Sequence, residues 1–308
     1  RRAHVLYLDR PAGAGFSYVQ GQMNDTWAND KQTAKDSVNA FVQIIQKYPW
    51  LCGRGVWVAG ESYAGHFTIQ LATAIAEMEN DLCVTLNGVM VGNGVVSINE
   101  TNFAWFEAGA THTLVEEQVF SQMKMECDFT KDLGIDGNGC PQGVSDECAM
   151  LVNVWMNQSG VQSGALSLYD YYTDVCLDPA LSEDPSKSGI DACSGSHTKM
   201  YLNQKAVQRA LHVRKEWQGP WEECSQALNN AYSCSDTLDS MVPLYRALLE
   251  RGKDVLVYSG DVDGVVPTLA SKRWVETMDG KTVVEEWQSW FGSNGQIGGW
   301  KMRWKEGV

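Results

Sequence analysis

Short β-branched runs alternate along this chain with longer stretches in which apolar residues recur every three to four positions. That alternation is the signature of a mostly parallel sheet with helices on its faces. Val5–Leu8 predicts a first strand. From about Trp27 to Tyr48, the residues Ala34, Val38, Phe41, Val42 and Ile45 fall at helical spacing, and Pro49 ends the pattern. Val56–Ala59 predicts another strand, and His66–Met78 a helix with Ile69, Ala72, Ile75 and Ala76 on its inner side. Thr85–Val91 predicts a third strand that gives way to Gly92, Asn93 and Gly94. Between about Gly109 and Ser196 cysteine, glycine and acidic residues increase and strand signal fades, which predicts an inserted cap. The core resumes with Lys205–Leu211, a helix over Leu238–Arg251 closed by Gly252, and a buried strand at Val255–Tyr258. No internal repeat is present, and Trp300–Val308 carries no helix or cap that would close a domain. The expectation is an α/β fold divided into a first core part (1–108), a cap (109–198) and a second core part (199–308).

Composition narrows the class. A chain of 308 residues can bury a substantial interior, and 44% hydrophobic with 20% charged residues is ordinary globular usage. No apolar run has the length needed to cross a bilayer. The net charge of −14 disfavours nucleic acid and anionic membranes as partners and suits work at low pH. Nine cysteines without a CxxC pair argue against a zinc ribbon; scattered through Gly-rich and polar loops, they predict disulfides and a secretory compartment. Sequons at Asn24, Asn99 and Asn157 fit that compartment. The chain opens directly into the apolar run Val5–Leu8, too short for a signal-peptide core, so the sequence is expected to start inside a fold.

Two places carry candidate chemistry. Val56–Gly65 reads as strand, tight turn and helix with Ser62 at the apex, the form of a nucleophile elbow. Such a turn strains the serine backbone and needs small neighbours, a demand met by Gly60, Ala64 and Gly65. An ordinary glycine-containing turn fits the same residues. Val255–Gly264 is a strand delivering Asp261 and Asp263 at its C-terminal end, the edge where α/β sheets build sites. An acid downstream of the serine matches the hydrolase order Ser, Asp, His; a turn cap or a cation site fits the residues as well.

Gly60–His66, with Ala64 in place of the stricter glycine, resembles the nucleophile motif of the serine carboxypeptidase family. Asp9–Tyr18, Val91–Gly94, Tyr169–Cys176, Val207–His212, Ser259–Pro267 and Gly295–Trp300 are similar to further family segments in the same order. The resemblance implies an α/β-hydrolase core with an inserted cap, and hydrolysis of C-terminal peptide bonds through an acyl-enzyme at acidic pH. By the same carry-over Ser62 is the nucleophile, Asp263 the triad acid, Asp261 a structural neighbour, and the Tyr63 backbone N–H one oxyanion donor. Glu61 corresponds to the acid that recognises the substrate's terminal carboxylate; two carboxyls share a proton only when one is protonated, which accounts for an acidic range. No metal or cofactor is implied. Partners would be peptide or protein C-termini, a homodimer is left open, and the compartment would be lysosomal, vacuolar or extracellular.

Two family pieces are expected to lie outside these residues: a Gly-rich stretch before Asp9 with the second oxyanion donor, and the triad histidine beyond Val308. None of His4, His66, His112, His197 and His212 stands where that histidine should, so this chain by itself is expected to be silent. An acyltransferase on the same fold and a non-catalytic binding member are the competing readings; Glu at 61 rather than Asp resembles the peptidase branch. Because Cys52 and Cys83 each precede one of two successive strands, they are expected to be bridged. The resemblance implies Cys127–Cys148 and Cys176–Cys193 bridges and leaves Cys224 without a partner here. Cys140 and Cys234 are unassigned.

Overall fold

The computed structural model describes residues 3–20, 28–131, 133, 143–177, 192–233, 236–278 and 281–306. Its centre is a parallel sheet of β1 (Gly55–Glu61), β2 (Thr85–Gly92) and β3 (Asp254–Tyr258) in the order β1-β2-β3. Glu61 pairs with Gly92, and Gly92 with Tyr258, so all three strands end side by side. β2 is the most deeply buried, with Val89 and Val91 fully enclosed.

Two helices precede and follow β1. α1 (Asp30–Lys47) is capped at its start by Asn29, whose side chain accepts from the Gln32 N–H, and it buries Phe41 and Ile45. Trp27, the expected start of this helix, lies outside the described residues. α2 (Ala64–Glu77) starts two residues earlier than its pattern suggests and sends Ile69, Ala72, Ile75 and Ala76 into the core, the four positions read from sequence. These residues pack with Val58, Leu86, Val89 and Val91 of the sheet. Tyr245 and Leu248 of α9 (Val242–Glu250) and Trp274 and Val275 of α10 (Thr268–Glu276) complete that core. α9 starts at Val242 rather than Leu238 because Pro243 sits in its first turn, where proline begins helices rather than continuing them.

Between β2 and β3 the described regular structure is helical. α3 (Ile98–Thr111), α4 (Glu117–Glu126) and α5 (Asp146–Gln158) enclose a second core built on Phe106, Phe120, Met123 and Trp155. The Trp155 indole donates to the Phe106 carbonyl at 3.3 Å. The expected core–cap boundary falls within α3, which gives Phe106 to this cluster and Ala104 to a contact with Val266 and Ala270. Beyond it come α6 (Ser194–Leu202), α7 (Lys205–Ala210) and α8 (Gln226–Ala231). Among the described residues no helix is long and apolar enough to cross a membrane.

Two sequence expectations need correction. Val5–Leu8 is not a strand: a strand exists through its pairing, no described strand pairs with this run, and Val5 and Tyr7 are 71% and 87% exposed. β3 is not buried throughout, because it stands at one side of the three-stranded order and its alternate residues Leu256 and Tyr258 are half exposed. The described part of the final segment carries no helix; it belongs to an antiparallel hairpin of β4 (Lys281–Phe291) and β5 (Ile297–Glu306), which the sequence pattern did not indicate.

The bridges Cys52–Cys83, Cys127–Cys148 and Cys176–Cys193 are formed, with Cα separations of 4.8, 5.0 and 4.8 Å, and Cys224 is free. Asn24, Cys140 and Cys234 lie outside the described residues. Of the other sequons, Asn157 is exposed in α5 and Asn99 is half-buried in α3.

Candidate active site

Ser62 sits between the end of β1 and the start of α2, with φ +59°. A non-glycine residue there is strained, by about 1 to 3 kcal/mol, and needs surrounding structure to hold it. The restraint comes from β2 and the residues after it. The Ser62 N–H donates to the Gly92 carbonyl, and the Ser62 carbonyl accepts from the N–H groups of Gly65 and Val95, all at 2.9–3.0 Å. Small residues permit this turn. A Cβ on Gly60 would strike the Thr68 hydroxyl and Ala64, and one on Gly65 would strike the Val95 backbone. Tyr63 follows as the N-cap of α2, so its N–H belongs to the helix end that has no intrahelical acceptor. A donor in that position suits an oxyanion and gains from the helix dipole. Glu61, the last residue of β1, is exposed.

Asp263 lies on the loop after β3. One of its carboxylate oxygens accepts from the Val265 and Val266 N–H groups at 2.7 and 3.3 Å. Partial burial raises its pKa, and hydrogen bonds from Val265, Val266 and Asn93 offset part of that rise. Asp261, the neighbour, is exposed.

The acid loop is tied to the serine turn by Asn93, a residue the sequence reading placed only within a motif. Its backbone has φ +36°, and its N–H donates to the Tyr258 carbonyl at 3.0 Å. The Asn93 amide nitrogen donates to Ser259 Oγ, the Gly260 carbonyl and the Val266 carbonyl at 3.0, 3.3 and 3.1 Å. Its oxygen accepts from the Gly260 N–H at 2.9 Å. One side chain at the end of β2 therefore fixes the loop carrying Asp263, while its chain neighbour Gly92 fixes Ser62. Asparagine is among the few residues that tolerate such a φ and offer both donors and an acceptor.

Leu168–Tyr172 covers the acid loop from the other side. The Gly264 N–H donates to the Leu168 carbonyl at 2.8 Å, and the Tyr171 N–H to the Val262 carbonyl at 3.3 Å. Glycine at 264 leaves room for the Tyr171 phenol, which a Cβ there would displace. Burial, and then the charge of Asp263, push Tyr171 up to about 12. The Tyr169 phenol is raised as well, by burial first and then by the charges of Cys224, Asp263, Glu61 and Glu223.

The five histidines are placed elsewhere. His66 is fully buried in α2, its Nδ1 2.6 Å from an oxygen of Asp30. His4 meets Trp50 edge-on, His112 bonds the Ala108 carbonyl, His197 lies in α6, and His212 has φ +58° in the turn after α7. Among the described residues, the hydrogen bonds of His66 and His112 go to Asp30 and Ala108, and the Asp263 carboxylate accepts from Val265 and Val266. Among the described residues no group of His, Cys, Asp and Glu is arranged to hold a metal ion.

A parallel sheet, a serine on a strained strand-to-helix turn and an acid after a later strand define an α/β-hydrolase fold. The serine carboxypeptidase family model matches residues 1–307, and the chain belongs to that family. It is 33% identical to serine carboxypeptidase-like 38 of Arabidopsis thaliana, covering 96% of this chain and 59% of that protein. Serine carboxypeptidase-like 36 of the same plant is 32% identical, with 98% and 60% covered. The crystal structure of Kex1Δp, a prohormone-processing carboxypeptidase from Saccharomyces cerevisiae, superposes with a TM-score of 0.70 at 16% identity, over 97% of this chain and 66% of that one. The chain thus spans about three-fifths of the length of those plant relatives.

Proposed function

We propose that the protein containing this chain is a serine-type carboxypeptidase that removes C-terminal residues through an acyl-enzyme at acidic pH. The observation that carries this reading is Ser62 at the head of α2 in a left-handed conformation, with the Asp263 loop pinned beside it by Asn93. Ser62 would attack the scissile carbonyl, and the Tyr63 N–H would take charge developing on its oxygen. Asp263 would orient a histidine and stabilise its imidazolium. Since the five histidines of residues 1–308 bond elsewhere or lie in other elements, that base would come from outside them, and the 308 residues alone would be silent. Glu61, exposed at the end of β1, would bind the substrate carboxylate when one of the two acids carries a proton. Substrates would be peptide or protein C-termini, and the three disulfides suit an oxidising compartment of the secretory pathway, lysosome, vacuole or exterior.

The test compares free and amidated peptides across acidic to neutral pH, using the full-length protein and its Glu61→Gln variant. Preference for free C-termini at acidic pH, weakened in the variant while ester hydrolysis persists, is the expected result. Equal rates on both peptides at every pH would remove the role of Glu61. In parallel, a fluorophosphonate probe should label Ser62 in the full-length protein and leave the 308-residue chain unlabelled. Stoichiometric labelling of the short chain would show that one of its own histidines serves as base.

A further inference from the structure

Beneath the serine turn lies a buried cluster that the proposed chemistry leaves unused. Asp30, the first residue of α1, is fully enclosed. One of its carboxylate oxygens accepts from the Tyr63 phenol at 3.0 Å and from the Tyr232 phenol at 2.5 Å, and the other faces His66 Nδ1 at 2.6 Å. An ionised carboxylate only accepts, so the His66 proton on this side sits on Nδ1, and Nε2 is left buried with no hydrogen-bond partner. A neutral imidazole with a bare Nε2 lone pair loses less there than an imidazolium with an orphaned N–H. The charge is thus held by Asp30, at the N-terminus of α1, where the helix dipole favours it. Asp236 completes the setting by accepting from the Asp30 and Lys31 N–H groups at 3.2 and 3.1 Å.

What this cluster holds is Tyr63. Its phenol is bound to Asp30, and its ring stacks on His66 with centroids 4.9 Å apart and planes within 21°. Tyr232 and Phe67 close the other sides edge-on. Burial first, and then the charge of Asp30 and the hydrogen bonds to it, push both phenols well above their ordinary range, so both remain donors. Tyr63 is gripped at both ends, by the cluster at its phenol and by the strained Ser62 at its backbone.

We propose that Asp30 is a positioning residue for the oxyanion donor: with His66, it locks the Tyr63 side chain and so fixes the direction of the Tyr63 backbone N–H. The inference rests on the reading of Ser62 and Tyr63 as nucleophile and oxyanion donor. If the phenol bond is lost, the tyrosine can rotate, and the turn at Ser62 can relax toward a less strained conformation. Loss of a positioned oxyanion donor costs about 10²- to 10³-fold in rate, and a misplacement of about 1 Å costs on the order of 10²-fold.

The experiment uses the full-length protein and follows fluorophosphonate labelling of Ser62, separating the maximal rate from the half-saturating concentration. Asp30→Asn should lower the maximal rate on the order of tenfold or more with the half-saturating concentration nearly unchanged. The milder pair Tyr63→Phe and Tyr232→Phe guards against a folding defect, since each removes one hydroxyl from the same Asp30 oxygen. A purely structural role predicts similar effects from both, whereas positioning predicts a loss concentrated in Tyr63→Phe. Combining Tyr63→Phe with Asp30→Asn should cost little beyond Asp30→Asn alone. Proton NMR supplies a readout independent of labelling: the Tyr63 hydroxyl on a buried carboxylate should give a downfield, slowly exchanging resonance that disappears in Tyr63→Phe and Asp30→Asn. Wild-type protein that keeps this resonance but is not labelled would overturn the nucleophile reading, and with it the catalytic consequence, leaving the Asp30–Tyr63 link standing. Equal rate losses in the two Phe variants, or labelling of Asp30→Asn within twofold of wild type, would overturn the proposal itself.

Discussion

Replacing Gly65 with alanine sets two effects of opposite sign against each other. Gly65 is the second residue of α2, and alanine is the better helix former by up to about 1 kcal/mol, less in the first turn than in the interior. Against this, the added Cβ would overlap the Val95 carbonyl oxygen and lie 2.8 Å from its carbon and 3.0 Å from its nitrogen. Non-bonded carbon contacts settle at about 3.5 to 4 Å, so α2 or the 93–96 segment must retreat by several tenths of an ångström or more. Neither is free to do so. Val95 N–H bonds Ser62, the Val96 carbonyl accepts from Met241, and the Gly65 carbonyl accepts from the Tyr245 phenol, at 2.8 to 3.0 Å. Overpacking against fixed backbone costs about 1 to 3 kcal/mol, which leaves a net loss of about 0.5 to 2.5 kcal/mol after a first-turn helix gain of about 0.5 kcal/mol. With a urea slope of about 3 kcal/mol per molar, the unfolding midpoint should fall by about 0.2 to 0.8 M with the slope unchanged. Gly252→Ala is the control for strain alone, because Gly252 has φ +70° and open space around its missing Cβ; about 1 kcal/mol is expected there. A Gly65→Ala midpoint at or above wild type would refute the claim that the Val95 backbone sets the size limit at this position.

Three other outcomes follow from the geometry. Burial raises the Asp263 pKa, so ionising it opposes folding: its favourable contribution is complete below the unfolded pKa and disappears as pH rises through the folded one. Asp263→Asn should therefore raise the unfolding midpoint at neutral pH and lose that advantage in acid; a gain confined to acid would reverse the sign. Removing Cys52–Cys83 with two serines releases a closure spanning 31 positions, worth about 3.5 kcal/mol in the chain-entropy account, and calorimetry of the variant should show a fall of that order rather than none. Asn93→Ala deletes the side-chain bonds to Ser259, Gly260 and Val266 that fasten the acid loop and should cost about 2 to 4 kcal/mol. Amide exchange should then accelerate at Gly260, Val265 and Val266, and unchanged exchange there would mean that Leu168–Tyr172 alone holds the loop.

The legible parts of this fold were those whose signal lies within one element. α2 was readable because Ile69, Ala72, Ile75 and Ala76 mark a single buried face, and β1 and β2 because each carries a compact apolar run, Val56–Ala59 followed by Gly60 and Val89–Val91 followed by Gly92. The β4–β5 hairpin was missed although Asn294–Gly295 marks its turn, with Gly295 at φ +76°. Its ladder shifts register between Val283 and Glu285, between Glu285 and Gln288, and between Trp290 and Phe291, and each shift breaks the two-residue alternation that identifies a strand. Val5–Leu8 failed in the opposite way, since an apolar β-branched run satisfies the pattern without supplying a neighbour to pair with.

The same distinction governs the site. The tight turn at Ser62 was legible from its flanking glycines because its size limit is local: Gly60 is cleared for Ala64 and Thr68, all within nine residues. What keeps Ser62 strained is not local. Beyond the local bond from Gly65, the bonds to its N–H and carbonyl come from Gly92 and Val95, thirty or so positions later, and the group that fastens the Asp263 loop is the intervening Asn93. The cluster gripping Tyr63 reaches further, joining Asp30, His66 and Tyr232 across 202 positions. The sequence names the residue and is silent on what holds it, because glycine spacing reports excluded volume near one turn, whereas hydrogen bonds to a buried carboxylate depend on which elements the fold brings together. Strain at Ser62 could not persist on local contacts alone, since a turn that costs about 1 to 3 kcal/mol relaxes unless something outside it pays. The distant residues Gly92, Asn93, Val95 and Asp30 are therefore where variation in this site should be sought when the motif around the serine is intact.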